Sequence, residues 1–88
     1  MPQPETSERR KRLLHRSRYR GCLEADILLG RFAAAHLPAF DDRLLDQFEA
    51  LLEEPDVDIL AWVTGRLPVP ARHDNDVMHL LRRFRPAG

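Results

Sequence analysis

One cysteine, Cys22, occurs among the 88 residues. An intramolecular disulfide is excluded, and so is a cysteine-clustered zinc site. Such sparse use suits a reducing compartment, and the chain reads as a bacterial-type cytoplasmic protein. No apolar run approaches the roughly 18 residues of a membrane span, so membrane insertion is not expected. The first twenty residues lack the apolar stretch of a secretory signal. Glu5 and Glu8 also interrupt the Arg-rich character of a mitochondrial presequence. Strand-like alternation, internal repeats and low-complexity tracts are missing, as are a Gly-rich phosphate loop and a Ser/His/Asp arrangement. His15, His36, His73 and His79 form no i, i+4 pair with another His or with Cys22, and Asp56-Val57-Asp58 lacks the Gly and closing Glu of a calcium loop. These gaps predict no catalytic residue, no metal and no cofactor held by the chain itself. A chain this short buries roughly 60–65% of its unfolded surface. It leaves little room for a pocket of about 300 Å³, which weighs against an enzyme with an enclosed site.

Charge is present in quantity but unevenly placed. The formal net charge is zero. Residues 1–20 hold seven Arg/Lys and two Glu, residues 21–65 hold two Arg and ten Asp/Glu, and residues 66–88 hold five Arg and two Asp. The blocks are thus basic, acidic and basic, and a molecule so polarised orients in a partner's field.

The apolar positions predict an all-α five-helix bundle, four core helices plus a weaker N-terminal one, as a single domain over residues 7–85. Residues 1–6 and 86–88 are read as tails, the first disordered. Ser7 caps a first helix running to about Ser17, whose only apolar residues are Leu13 and Leu14. A second runs from about Cys22 to His36, with Leu23, Ile27, Leu28, Phe32 and Ala35 as its inner face. Gly30 weakens its middle by roughly 1 kcal/mol against Ala and suggests a neighbouring helix passing close. A third, capped by Asp41 or Asp42, carries Leu44, Leu45, Phe48, Leu51 and Leu52 at helical spacing, with Asp46, Glu49, Glu53 and Glu54 outside. Pro55 ends it. Asp56 caps a short fourth helix that closes at Gly65. An extended linker with Pro68 and Pro70 follows. The fifth starts near Asp74, uses Val77, Leu80, Leu81 and Phe84, and ends at Pro86.

The junction Arg20-Gly21-Cys22-Leu23-Glu24-Ala25-Asp26 joins the basic arm to the second helix. Read locally, Gly21 is an N-cap, Glu24 reaches back to its amide as in a capping box, and Arg20 pairs with Glu24 across one turn. Read functionally, Gly21 lets a partner's backbone approach, and Arg20 offers a bidentate fork to it. Both can hold, since a cap fixes where the Arg points. The arm itself, Arg9-Arg10-Lys11-Arg12 with Arg16 and Arg18, could grip phosphates. No base-reading constellation accompanies it, so a solvated or partner-facing arm is favoured over a nucleic-acid-binding regulator. The outer face of the third helix reads as solvated, or as an acidic docking surface. A generic helical adaptor is the other alternative.

Arg20-Gly21-x-x-Glu24-x-Asp26, followed by the Asp-capped helix with Phe48, Leu51 and Leu52, then Asp56-x-Asp58-Ile59-Leu60-x-Trp62, Gly65 and a Pro-containing linker, resembles the succinate dehydrogenase flavinylation factors, the SdhE family of small five-helix proteins. The likeness covers roughly residues 9–85. It implies an assembly factor that binds the flavoprotein subunit of succinate dehydrogenase, often also of fumarate reductase, and promotes covalent attachment of FAD to it. It also implies that Arg20, Gly21, Glu24 and Asp26 form the partner-binding segment, that Trp62 is core, and that the FAD is carried by the partner. Tyr19 stands where some relatives of that family place another Arg. A small domain serving a transient partner is expected to be a monomer.

Overall fold

A computed structural model describes residues 4–84. Within them the chain forms five α-helices and two 3-10 turns. The helices are α1 (Pro4–Ser17), α2 (Leu23–His36), α3 (Asp42–Leu52), α4 (Asp56–Val63) and α5 (Asp76–Arg83), and the turns lie at Leu37–Ala39 and Ala71–His73. The all-helical bundle is as expected. Residues 1–3 and 85–88 lie outside the described part. Residues 4–6, expected in a tail, are instead the first turn of α1.

Phe32 of α2 sits at the centre of the core. Its ring lies 4.7 Å from His36, 5.7 Å from Phe48, 5.6 Å from Phe84 and 6.1 Å from Phe40. Leu29, Leu45, Leu51, Ile59, Val77 and Leu81 close around this cluster with almost no exposure. Asp41 caps α3 by accepting the Leu44 amide at 2.9 Å. Gly65, at φ +79, ends α4. Its amide donates to Trp62 O and the Arg66 amide donates to Ala61 O, the paired bonds of a Schellman motif. The last helix, α5, expected to start near Asp74, starts at Asp76. Asn75 is its cap, accepting from the Met78 amide, and Gln47 of α3 accepts the Val77 amide. Asp56, by contrast, does not cap α4 as expected: Pro55 holds the cap position, and Asp56 is the first helical residue with its carboxylate committed elsewhere.

The inner face of α2 is rotated from the one expected. Ala25, Leu29, Gly30, Phe32 and Ala33 are buried, while Leu23 and Ile27 are 74% and 39% exposed and Ala35 also faces outward. Both stripes have helical spacing. The chain buries the one with Ala and Gly because neighbouring elements can approach it closely. At Gly30, Arg18 Cγ stands 3.1 Å from where a Cβ would be, and Ser17 O stands 3.8 Å away, so the end of α1 is the close neighbour.

Among its described side chains, α1 contributes only Leu13 and the half-buried Leu14 to the apolar core, a narrow face as its sequence indicates. Charge supplies the rest of its attachment. Arg9 donates to Asp46 at 2.5 Å and to Glu49 at 2.8 Å, and Arg16 donates to Glu53 at 2.6 Å. Hydrogen bonding to Asp46, then to Glu49, raises the proton affinity of Arg9 further. Arg10 donates to the carbonyls of Leu37 and Phe40, closing the turn after α2. Of the arm expected to be solvated or partner-facing, Arg9 and Arg16 are thus laid against acidic α3 and Arg10 against the turn after α2, while Lys11, Arg12 and Arg18 remain exposed. The outer face of α3 is a docking surface for α1.

Candidate functional site

The α1–α2 junction is built on unusual backbone. Gly21 has φ +87 and Tyr19 has φ +53, the one non-Gly residue at positive φ among the described residues. A left-handed conformation costs a bulky L-residue roughly 1–2 kcal/mol. It persists only where the surroundings over-determine it, and Arg20 between the two residues shows how. Its amide donates to Asp26 Oδ1 at 2.5 Å. Its guanidinium pairs with Asp56 and donates to Glu54 O at 2.9 Å and, more weakly, to Arg16 O at 3.4 Å. The Arg20 and Asp56 side chains are only 12% and 16% exposed. One side chain therefore ties together the end of α1, the α3–α4 turn and the start of α4.

This geometry corrects the local reading of the motif. Cys22, not Gly21, is the N-cap of α2; its φ is −128 and no side chain caps that end. Glu24 makes no capping box and no pair with Arg20, because the guanidinium is already held by Asp56. The four motif residues thus fall into two classes. Arg20 and Asp26 hold the junction from within, so Arg20 is not an open fork for a partner. Gly21 and Glu24 are exposed, and nothing lies within 4 Å of a Cβ built on Gly21. Beside them the ring of Tyr19 is 77% exposed and Leu23 74% exposed. Val57, one residue past Asp56, is 72% exposed. Sequence reasoning missed Asp56 as the partner of Arg20, since 36 residues separate them. It also missed the outward-facing Leu23 and Ile27. The regular Ala25/Leu29/Ala33 spacing was the available clue to the latter.

A second polar cluster lies on the other side of the α3–α4 turn. Glu54 Oε2 is 2.6 Å from Nε2 of His73 and 2.9 Å from the Arg72 guanidinium. His73 is almost fully buried, and its ring lies 5.3 Å from Trp62, with Arg72 5.9 Å from that same indole ring. Hydrogen bonding to His73, then to Arg72, holds the Glu54 carboxyl below the ordinary carboxylate range. Among the described residues no group of three or more His, Cys, Asp or Glu side chains converges to hold a metal ion. No helix among them is long and apolar enough to cross a membrane.

Fold and site together define a class: a small helical bundle that displays a rigidly held edge with apolar, aromatic and acidic side chains exposed on it. A family model described as flavinator of succinate dehydrogenase matches residues 11–85, and the chain belongs to that family. It is similar to the succinate dehydrogenase assembly factor 2, mitochondrial, of Meyerozyma guilliermondii, at 44% identity over 84 residues, 90% of this chain and 62% of the relative. The protein of the same name from Aedes aegypti is 44% identical over 75 residues, 83% of this chain and 47% of the relative. That from Mycosarcoma maydis is 51% identical over 61 residues, 69% of this chain and 26% of the relative. The chain therefore spans less than two thirds of the length of each of these relatives.

Proposed function

We propose that this chain is an assembly factor that binds the flavoprotein subunit of succinate dehydrogenase, and of fumarate reductase where one is present, and promotes covalent attachment of FAD to that subunit. The names of the family and of the relatives support the assembly role. The observation that carries the docking reading is the junction itself, where Gly21 and Glu24 stand open while Arg20 and Asp26 are consumed in holding them. In this reading the chain is no enzyme and binds no FAD of its own. Attachment by the partner's own groups needs a near-attack geometry and stabilised charge on the flavin. A helper supplies these by binding one arrangement of the partner better than the others. An interface of standard size buries about 1,600 Å² in total. The helper acts as a monomer without membrane or nucleic-acid binding. Arg9, Arg10, Arg16 and Arg20 have partners inside the chain, which weakens the case for a nucleic-acid regulator. A reducing cytoplasm is the proposed compartment for a protein with one free thiol; the relatives named above carry the word mitochondrial.

Two substitutions test the reading. Gly21→Arg places a side chain on the open spot, at the cost of strain from φ +87. Glu24→Lys reverses the exposed charge in the first turn of α2 with no left-handed residue involved. Both should abolish co-purification with the flavoprotein and reduce its covalent flavin fluorescence on a denaturing gel. Wild-type yield of complex from both variants refutes the docking reading.

A further inference from the structure

We infer that Tyr19 is the aromatic anchor of this docking edge, and that it seats in an apolar socket rimmed by carboxylates on the flavoprotein subunit. The inference rests on the partner proposed above and adds the chemistry of its contact surface.

The first observation is the backbone at Tyr19. A large aromatic residue at φ +53 is strained, and a Gly or Asn would relieve it. Burial does not compensate for the strain, because the residue is 77% exposed and its ring contact is a tilted one with His15 at 5.3 Å. The hold comes from the next residue, Arg20, through Asp26 and Asp56. The fold thus fixes an exposed ring in a costly conformation, as functional edges do.

The second observation is what surrounds the ring. Ile27 lines the same shallow groove as Tyr19, and Leu23 lies one turn before Ile27 on the outward stripe of α2. An exposed aromatic with aliphatic neighbours is the composition of interface cores, and Tyr is frequent among residues that dominate binding. Arg18 lines the grooves on both sides of the ring. The two carboxylates that line those grooves, Asp26 and Asp56, are engaged by Arg20. The grooves beside the ring therefore present the cation Arg18 and no unengaged carboxylate, the exposed Glu24 lining neither, and a complementary partner offers carboxylates to this side of the edge around an apolar hollow.

Strain and contact predict opposite signs at one position, which makes the test direct. The full chain and the purified flavoprotein subunit are titrated by calorimetry at low and physiological salt, and each variant is also melted alone. Tyr19→Gly should melt at or above the wild-type temperature, because Gly accepts the left-handed backbone, yet bind at least about tenfold more weakly. Tyr19→Phe should keep affinity within about threefold. Arg18→Glu should weaken binding and flatten its salt dependence. Wild-type affinity in Tyr19→Gly overturns the anchor, and equal losses in Tyr19→Phe and Tyr19→Gly overturn the apolar socket. An unchanged salt dependence in Arg18→Glu overturns the acidic rim. Self-association lost on Tyr19→Gly assigns the edge to a second copy of this chain and overturns the proposal. If the unaltered chain does not bind the subunit at all, the assembly reading itself fails, a result distinct from the others.

Discussion

Two corners meet at the turn between α3 and α4, and they use similar chemistry to opposite ends. On one side, Arg20 grips Asp56 and the Glu54 carbonyl. On the other, the Glu54 side chain grips His73 and Arg72. The second corner is closed: His73 lies buried against Trp62, and its polar contacts seal the linker after α4 onto the core. The first is open: its ion pair is sheltered, but Tyr19, Gly21, Leu23 and Glu24 project outward from it. A sheltered charge pair can thus serve a seal or a display, and the difference lies in which neighbours it leaves exposed. The closed corner should therefore respond to substitution in stability. The open corner should lose stability chiefly through Arg20, Asp26 and Asp56, which hold it, and lose binding through the residues that they hold.

The largest expected effect is at the closed corner. Trp62→Ala removes a side chain that is only 7% exposed and deprives His73 of its ring contact. It should cost about 3–5 kcal/mol, enough to leave a domain of this size barely folded. Urea unfolding followed by circular dichroism measures it. A loss below about 1 kcal/mol would break the contrast by showing the closed corner to be slack.

At the open corner, Arg20→Ala leaves Asp56 sheltered without its counter-charge and should cost about 2–3 kcal/mol. Asp56→Ala should cost a similar amount, and the double variant should cost much less than the sum, since both remove one pair. The same chemical unfolding gives all three values. Covalent flavin on the partner should fall in parallel in the two single variants. A fall confined to Arg20→Ala would mean that the guanidinium reaches the partner directly.

The smallest effect concerns pH. Glu54 has its carboxyl held below the ordinary value of 4.5 by His73 and Arg72. The stability from that pairing is fully present above 4.5 and is lost as the pH falls through the lower folded value. Glu54→Gln should thus melt at a lower temperature than wild type at neutral pH, and the gap should narrow on acidification. A gap of constant size from pH 7 down into the acid range would show that packing, not charge, sets the role of Glu54.

Much of the fold is legible from residues alone, and the exceptions share a cause. The third helix is readable because Leu45, Phe48, Leu51 and Leu52 leave one choice of buried face and Asp41 marks its start. Helix α2 is apolar nearly all round, so its sequence permits two inner faces. In the folded chain Arg18, just past α1, fills the hollow at Gly30, a contact that the sequence of α2 alone does not announce. At the site, Gly21 and Glu24 are readable as exposed candidates. The role of Arg20 is not, because nothing near it in sequence announces Asp56.

The chain by itself determined the helical class, most helix ends, the identity of the core aromatics and the segment in which function is sought. Those features follow from local periodicity, capping residues and prolines, which act within a few residues. Only the tertiary structure decided that Arg9 and Arg16 of the basic arm lie on the chain's own acidic helix, that Arg20 works from within, and that Tyr19, Leu23 and Ile27 face outward. Charges distant in sequence pair only once packing sets them side by side, and out of water such pairs select one arrangement of the helices over another.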